Sequence, residues 1–150
     1  MDHDSPTAAG TVYPWHCDHM GHMNVMHYVG RFDEATWQLF HRLGLTPAWL
    51  RANGRGMVAV EQHLRYLREL LPGDVFEIRS RVLTVSAKTI RFEHEMRLAG
   101  EETVAATCEL TGVHLDTQSR RAVAFDEAIA ARIAAALATS GANTGSGLKT

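Results

Sequence analysis

The chain lacks the features that mark membrane, disulfide-stapled and nucleic-acid-binding proteins. No apolar run approaches the ~20 residues that span a bilayer, and Asp2, His3 and Asp4 open the chain without a signal-peptide core. Its two cysteines, Cys17 and Cys108, show neither CxxC nor secreted-scaffold spacing, so we expect reduced thiols. A formal net charge of -2 leaves no basic stripe for nucleic acid. We therefore expect a cytoplasmic protein with neither a membrane nor a nucleic-acid partner.

The 150 residues are enough for one domain with a sizeable core. Periodic patterning ends near residue 138, and the stretch from Ser140 to Thr150 is rich in Gly, Ser and Thr. Such a composition buries too little apolar surface to order a chain. We predict a single domain over residues 1–138 and a flexible C-terminal tail over residues 139–150.

A helical period begins after Asn24, a good N-cap residue, and Gly44 supplies its stop. Thr46 and Pro47 then begin a short helix that ends at Asn53-Gly54. The apolar stripe of the long helix is predicted to contain Val25, Val29, Phe32, Ala35, Leu39 and Leu43, with Tyr28 and Phe40 at its flanks.

A period of two dominates the rest of the chain, which indicates β-strands. The predicted strands are Thr11–Trp15, Met57–Glu69, Val75–Val82, Ile90–Arg97 and Thr103–Leu115, with an edge segment at Arg121–Phe125. Within the second, alternation puts Val58, Val60, Leu64 and Tyr66 on one face and Glu61 and His63 on the other. Asp126 can cap a last helix that runs to about Ala138.

Tight turns between long strands imply an antiparallel sheet, and one long helix must bury its apolar stripe against it. We therefore predict an α+β fold, in which a long helix packs on an antiparallel sheet of about five strands. The alternating patterns do not tell which strands are neighbours.

The segment from Asp18 to Asn24, just before the long helix, contains several side chains of kinds that occur in active sites. A carboxylate (Asp18), a glycine (Gly21), an imidazole (His22) and a carboxamide (Asn24) occupy seven positions. Backbone N–H groups at a helix N-terminus favour negative charge, so this arrangement puts a proton acceptor beside an oxyanion site. The sequence predicts an acyl-transfer or hydrolytic enzyme.

The motif Asp18-x-x-Gly21-His22-x-Asn24-x-x-x-Tyr28 resembles hotdog-fold acyl-CoA thioesterases of the 4-hydroxybenzoyl-CoA thioesterase type. The later Tyr66-Leu67-Arg68-Glu69-Leu70-x-x-Gly73-Asp74 is similar to the segment that joins the second and third strands in that family. Together they cover about the first 115 residues. The resemblance implies a hotdog fold, hydrolysis of a small or medium acyl-CoA and no cofactor beyond the CoA of the substrate.

Carried over to this chain, the resemblance makes Asp18 the nucleophile or general base and lets His22 and Asn24 orient water or the carbonyl. The Val25 amide would polarise that carbonyl. Gly21 and Tyr28 are further candidates for substrate contact, as is His63, on the face that a second subunit could use. Ser86, Lys88 and Arg91, in and beside a hairpin, are candidates for binding CoA. The family also forms its active site between subunits, which implies a homodimer or a dimer of dimers, that is, a homotetramer.

Other interpretations remain open. His16, His19 and His22 recur every three residues and could suit zinc, but a turn is a poor frame for three ligands and we predict no metal. Cys17 could be a nucleophile, although a buried thiol at a strand end fits it better. On the same fold, the alternatives to hydrolysis are an enoyl-thioester hydratase or dehydratase that uses an Asp-His pair, and a non-catalytic acyl-CoA-binding module.

Overall fold

The computed structural model describes residues 5–143, and the side chains of residues 5–140. Over that range the chain forms three α-helices and one five-stranded antiparallel sheet with strand order β1-β3-β4-β5-β2. The helices are α1 (Val25–Arg42), α2 (Pro47–Asn53) and α3 (Glu127–Asn143). The strands are β1 (Ala8–Thr11), β2 (Arg55–Tyr66), β3 (Val75–Val85), β4 (Thr89–Leu98) and β5 (Val104–Asp116).

Helix α1 begins and ends as its caps predict. The Asn24 side chain accepts a hydrogen bond from the Met26 amide, and Gly44 follows in a left-handed conformation with φ 87°. The buried line of the helix runs through Tyr28, Phe32, Ala35, Thr36, Leu39 and Phe40. Val25 and Val29, predicted for the buried stripe, are exposed instead, whereas the other predicted positions, Phe32, Ala35, Leu39 and Leu43, are buried.

The first strand lies earlier in the chain than predicted. Ala8–Thr11 pairs with β3, whereas Pro14–His16 forms a 3-10 turn. Proline has no N–H to donate to a ladder, which explains why the β-prone stretch from Thr11 to Trp15 does not continue the strand. The Val12 amide extends the pairing only as far as the Asp74 carbonyl, at 2.8 Å.

A β-bulge at Val60 changes the phase of β2. Ala59 pairs with Gly112 and Glu61 with Thr111, so Val60 has no partner across the ladder. Val58, opposite Val113, therefore lies on the outer face with Glu61 and His63, and not with Leu64 and Tyr66 as strict alternation predicted. A single bulge is enough to reverse a face assignment, because side chains alternate with a period of two.

The C-terminal part differs from the expectation in two places. Residues 121–125 contribute only an isolated bridge, between Ala122 and Leu115. Helix α3 continues to Asn143, so residues 139–143 of the predicted tail are helical, while 144–150 lie outside the described residues. Ile129, Ile133 and Ala136 are buried on the face of α3 that packs near β3.

One polar chain crosses the core. His94 on β4 is fully buried; its Nε2 lies 2.8 Å from the Thr36 hydroxyl of α1 and its Nδ1 lies 2.6 Å from the Ser80 hydroxyl of β3. Ser80 in turn contacts the Thr7 hydroxyl at 2.7 Å. Burial lowers the pKa of His94 from 6.5 to about 3, so the ring is neutral at physiological pH and links helix to sheet without charge.

Candidate active site

The segment from Cys17 to Asn24 forms a tight turn that leads into α1. Cys17 and Met23 pair across its base, the Gly21 amide donates to the Asp18 carbonyl at 3.0 Å, and Gly21 adopts a φ of 83° that glycine tolerates best. The Met23 amide donates to the Leu70 carbonyl at 2.8 Å. This bond ties the turn to the segment that follows β2.

Both carboxylate oxygens of Asp18 accept hydrogen bonds. Oδ1 accepts from the Met20 amide at 2.8 Å and Oδ2 from the Asn24 side-chain amide at 2.9 Å. The bond from Met20 lowers the pKa of Asp18 below its usual value most, and the bond from Asn24 lowers it further. Asp18 is therefore a carboxylate at neutral pH, and its side chain has a set orientation.

Asn24 connects that carboxylate to the helix. Its Nδ2 donates to Asp18 while its Oδ1 accepts from the Met26 amide at 2.9 Å. The next amide, that of Val25, occupies the first helical position, where no intrahelical acceptor exists, and it has no acceptor elsewhere in residues 5–143. Asn24 is thus hydrogen-bonded to the Asp18 carboxylate on one side and followed on the other by the Val25 amide, which has no acceptor among residues 5–143.

His22 does not contact Asp18. Its Nε2 lies 3.5 Å from Glu69, a residue that sequence reasoning did not select, and its Nδ1 lies 3.5 Å from the Met23 carbonyl. The ring therefore bridges the turn to the segment after β2. This geometry does not form the Asp-His pair that a hydratase would use.

Tyr28 is buried between α1 and β2. It is 4 % exposed, and its ring packs edge-on against Tyr66 of β2 with centroids 5.2 Å apart. Burial raises the pKa of Tyr28, and a hydrogen bond with the Leu70 backbone offsets part of that rise. The phenol is neutral and held in place beside the turn.

A cavity of about 230 Å³ lies between α1 and the edge strand β2. We call it the α1–β2 groove. It begins at Val29 and Gly30, one helical turn from Val25, and continues past Asp33 and Trp37 to Phe40. Met57, Ala59 and Gln62 of β2 form the opposite wall, with Phe92, Leu110 and Gly112 beneath. The sequence did not indicate this groove, because Val29 continues the apolar stripe of α1 and its exposure is visible only in the structure.

A larger cavity, of about 320 Å³, lies at the other end of α1. Leu39, Leu43, Ser80 and Ala136 are among its lining residues. Because α1 separates it from the Asp18 turn by several helical turns, it does not adjoin the reactive groups. We therefore associate the smaller α1–β2 groove with Asp18.

The residues predicted to bind CoA are not beside Asp18 in the same chain. Asp18 lies at the end of the sheet where β2 ends and β3 begins, whereas Ser86 and Lys88 lie in the β3–β4 hairpin at the opposite end. The ten residues of β4 separate the two ends by about 30 Å. The Ser86 hydroxyl is engaged within the hairpin by the Thr89 amide at 3.1 Å.

Two other predicted contacts lie on the outer face of the sheet. Arg91 pairs with Glu109 at 3.2 Å, and His63 lies opposite the same glutamate in the β2–β5 ladder. Both point away from α1 and hence away from Asp18 of their own chain. Any contact they make with substrate would involve a second subunit.

Within the described residues neither cysteine forms a hydrogen bond with the Asp18 carboxylate. Cys17, predicted to be a buried thiol at a strand end, is only half-buried and follows the 3-10 turn, where it donates to the Tyr13 carbonyl at 3.7 Å; burial raises the pKa of Cys108 to about 12. Of the histidines considered as zinc ligands, His16 packs against His27 with ring centroids 4.9 Å apart, and His22 lies beside Glu69. Within the described part of the chain no three His, Cys, Asp or Glu side chains gather around one point that could hold a metal.

None of the helices in residues 5–143 is both long and apolar enough to cross a bilayer. The long helix packed on a five-stranded antiparallel sheet is the hotdog fold. The thioesterase-like superfamily model matches residues 12–133, and the chain belongs to that family.

Individual relatives agree with this class. The chain is 28% identical over 124 residues to betainyl-CoA thioesterase of Pseudomonas aeruginosa, which covers 83% of this chain and 78% of that protein. It is 25% identical over 118 residues to L-carnitine dehydrogenase/betainyl-CoA thioesterase of Rhizobium sp, covering 79% of this chain but only 24% of that protein. A Staphylococcus aureus protein solved in complex with CoA superposes with a TM-score of 0.83 at 24% identity, over 87% of this chain and 82% of that one.

Proposed function

We propose that this thioesterase hydrolyses a small or medium acyl-CoA to the free acid and CoA, with Asp18 as its reactive carboxylate. The observation that carries the proposal is the hydrogen bond from Asn24 Nδ2 to the Asp18 carboxylate, at 2.9 Å, beside a Val25 amide that has no acceptor among residues 5–143. A thioester carbonyl bound there would meet a donor for its oxygen and a carboxylate for its carbon.

The chemistry follows one of two routes. As nucleophile, Asp18 bonds to the thioester carbon, the C–S bond breaks, and the thiolate takes a proton from water; a second water then hydrolyses the mixed anhydride. As general base, Asp18 takes a proton from water whose oxygen attacks the same carbon, and CoA again leaves. In both, the Val25 N–H donates to the developing oxyanion. A thiolate is a good leaving group, so no strong acid is needed.

Label on Asp18 after a single turnover in ¹⁸O-labelled water identifies the nucleophilic route. In the general-base route the label enters the released acid directly. Attack by Asp18, followed by water at the aspartyl carbon of the anhydride, leaves the label on the enzyme in the first turnover. Mass spectrometry of the acid and of the peptide that contains Asp18 reads out both.

CoA is the carrier that the relatives support, because one is a betainyl-CoA thioesterase and another fold neighbour was solved with CoA. The α1–β2 groove, about 230 Å³ and one turn from Val25, is the proposed site of the acyl group. Its size supports a small or medium acyl chain.

We further propose a homodimer, or a dimer of dimers, in which β2 edges pair. β2 is a 12-residue edge strand that carries exposed Val58 and Val60, an edge that proteins usually cover. An antiparallel β2–β2 pairing would bring the Ser86–Lys88 hairpin of one subunit toward the Asp18 end of the other, so one CoA could use both. Sedimentation should give two or four times the 16.6 kDa chain mass; a monomer that turns over acyl-CoA would contradict the shared site.

Thiol release from a panel of acyl-CoAs, with wild type beside Asp18→Asn, tests the proposed function. Wild type should release CoA, and the variant should lose this activity while still binding CoA. Addition of water to enoyl-CoA without thiol release would support a hydratase. CoA binding without turnover in either protein would indicate a binding module.

A further inference from the structure

The α1–β2 groove contains a single charged side chain, and it is negative. Asp33 lies eight residues after Val25, and apart from it the polar lining consists of Thr36 and Gln62. Thr36 is already engaged, since its hydroxyl donates to the Phe32 carbonyl at 3.0 Å. A carboxylate in a largely apolar cleft is the kind of polar group that sets ligand specificity.

Among the described residues Asp33 has no cationic partner. The residues three and four positions away on the helix are Val29, Gly30, Thr36 and Trp37, none of them basic. No hydrogen bond or ion pair is found for Asp33 within residues 5–143, whereas the adjacent Glu34 pairs with Arg31 at 3.3 Å. The two neighbouring acids therefore differ. Glu34 forms an ion pair outside the groove, and Asp33 lines the groove without one in the described residues.

Three aromatic side chains, Trp37, Phe40 and Phe92, line the α1–β2 groove together with Asp33. Trp37 follows Asp33 by one helical turn and contacts Phe40 edge-on at 5.6 Å between ring centroids. Phe40 in turn contacts Phe92 at 5.4 Å. Trp37 is 38% exposed and therefore accessible from the groove. A ring face next to a carboxylate is a favourable environment for an ammonium group, which both attract.

We propose that the α1–β2 groove selects acyl groups that carry a positive charge, with Asp33 and Trp37 as the specificity-determining residues. The inference rests on the proposed function, because it assigns the acyl group to this groove. Asp33 lies about 12 Å from Val25 along the helix axis, and its side chain leans back toward the helix N-terminus. A four-carbon acyl chain puts an ammonium nitrogen about 5 Å from the carbonyl carbon, so carboxylate and ammonium would come close enough to attract each other.

Two thioesters of nearly identical shape isolate the charge. 4-(Trimethylammonio)butanoyl-CoA and 5,5-dimethylhexanoyl-CoA differ in the atom that bears the three methyl groups, nitrogen in the first and carbon in the second. For wild type we expect kcat/KM to favour the cationic thioester by about tenfold, a preference of the size that a partly exposed ion pair with a cation–π contact supplies.

Asp33→Asn should abolish most of that preference, since it keeps the shape of the side chain and removes its charge. Trp37→Leu should reduce the preference while leaving the carboxylate in place. Glu34→Gln is the matched control, because it removes an acid from the next position of the same helix outside the groove, and it should keep the wild-type ratio. Thermal unfolding of all three variants checks that each is folded.

The outcomes separate the inference from the proposed function. A wild-type ratio near one, or an Asp33→Asn ratio equal to that of wild type, overturns the charge preference, while hydrolysis of the neutral thioester leaves the thioesterase proposal intact. If wild type hydrolyses neither thioester nor any other acyl-CoA, both proposals fail.

Discussion

Asp18, in the turn before α1, and His94, in the core, both have lowered pKa values, but for opposite reasons. In the turn before α1, hydrogen bonds from Met20 and Asn24 stabilise the charged form of Asp18. In the core, burial disfavours the charged form of His94 and lowers its pKa to about 3. The first group is therefore ionised at neutral pH and the second is neutral.

The difference follows from solvent access and from partners. Asp18 remains open to water on a turn, and its partners are donors, which suit an anion. His94 lies between hydroxyl groups that can donate or accept, and a neutral imidazole satisfies them with one donor and one acceptor nitrogen. The exposed region is suited to chemistry, and the buried one connects elements of the fold.

The largest expected effect comes from removing the charge in the turn. Asp18→Asn should lower kcat/KM for acyl-CoA by at least about 10²-fold, as expected for loss of a reacting carboxylate. Asp116→Asn is the control, because backbone hydrogen bonds from Ser119 and Gln118 also lower the pKa of Asp116, at the far end of the sheet. Steady-state kinetics should show near wild-type turnover for this control; an equal loss in both variants would refute the assignment.

The buried region should respond in stability. His94→Leu removes the link between Thr36 and Ser80 and should destabilise the fold by about 2–4 kcal/mol, measured by urea unfolding at pH 7. The unfolding is measured without acyl-CoA, so ligand binding does not contribute to the result. If the free energy of unfolding fell by less than about 0.5 kcal/mol, the size of an ordinary surface substitution's effect, the polar chain would contribute little to stability.

The pH dependence of folding tests the neutral state of His94. An unfolded histidine takes up a proton near 6.5, whereas folded His94 does so only at about 3. The unfolded state therefore binds more protons between these values, and stability should fall as pH decreases from 6.5, by up to about 1.4 kcal/mol per unit. His94→Gln should flatten this slope relative to wild type, while His41→Gln, at an exposed position of α1, should not.

Asn24 allows the orientation of Asp18 to be tested apart from helix stability. Asn24→Ala should cost about 1 kcal/mol through loss of the cap. It should also move the acidic limb of the kcat/KM profile to higher pH, because a hydrogen bond that lowers the pKa of Asp18 is lost. Thr46→Ala removes the corresponding cap of α2, a bond of 3.1 Å from the Trp49 amide, and should cost similar stability without moving the limb.

The smallest effect is expected at the hairpin. Lys88→Ala should raise KM for acyl-CoA by about 3–10-fold at low salt with little change in kcat, as for loss of one exposed contact to a phosphate. Arg51→Ala, on α2 at the same end of the sheet, is the control for general loss of positive charge. Equal KM changes in the two variants would argue against a specific role for Lys88.

Local chemistry made several elements predictable. Asn24, Gly44, Thr46 and Gly54 act as helix caps or stops at the positions that their side chains or backbone freedom favour. The Asp18–Asn24 turn could be located because Gly21 and an N-cap residue follow a carboxylate at short range. The sequence patterns therefore predicted the long helix, the strand-rich remainder and the turn between β1 and α1.

Other features depended on contacts between distant residues. The bulge at Val60 reversed the face of Val58, and pairing with β3 placed β1 at Ala8–Thr11 despite the β-prone stretch that follows. The partner of His22 is Glu69, which the sequence did not indicate. The separation of Asp18 from Ser86 and Lys88 became visible only once the strand order was known.

The sequence by itself determined the caps, the periodicities and the grouping of Asp18 with Asn24, because these depend on residues within a few positions of one another. The tertiary structure alone decided which strands are neighbours, that the first turns of α1 leave Val25 and Val29 exposed, and that Asp33 and Trp37 line a groove one turn from Val25. Those outcomes require apolar side chains far apart in the chain to pack together, and no local pattern specifies their partners.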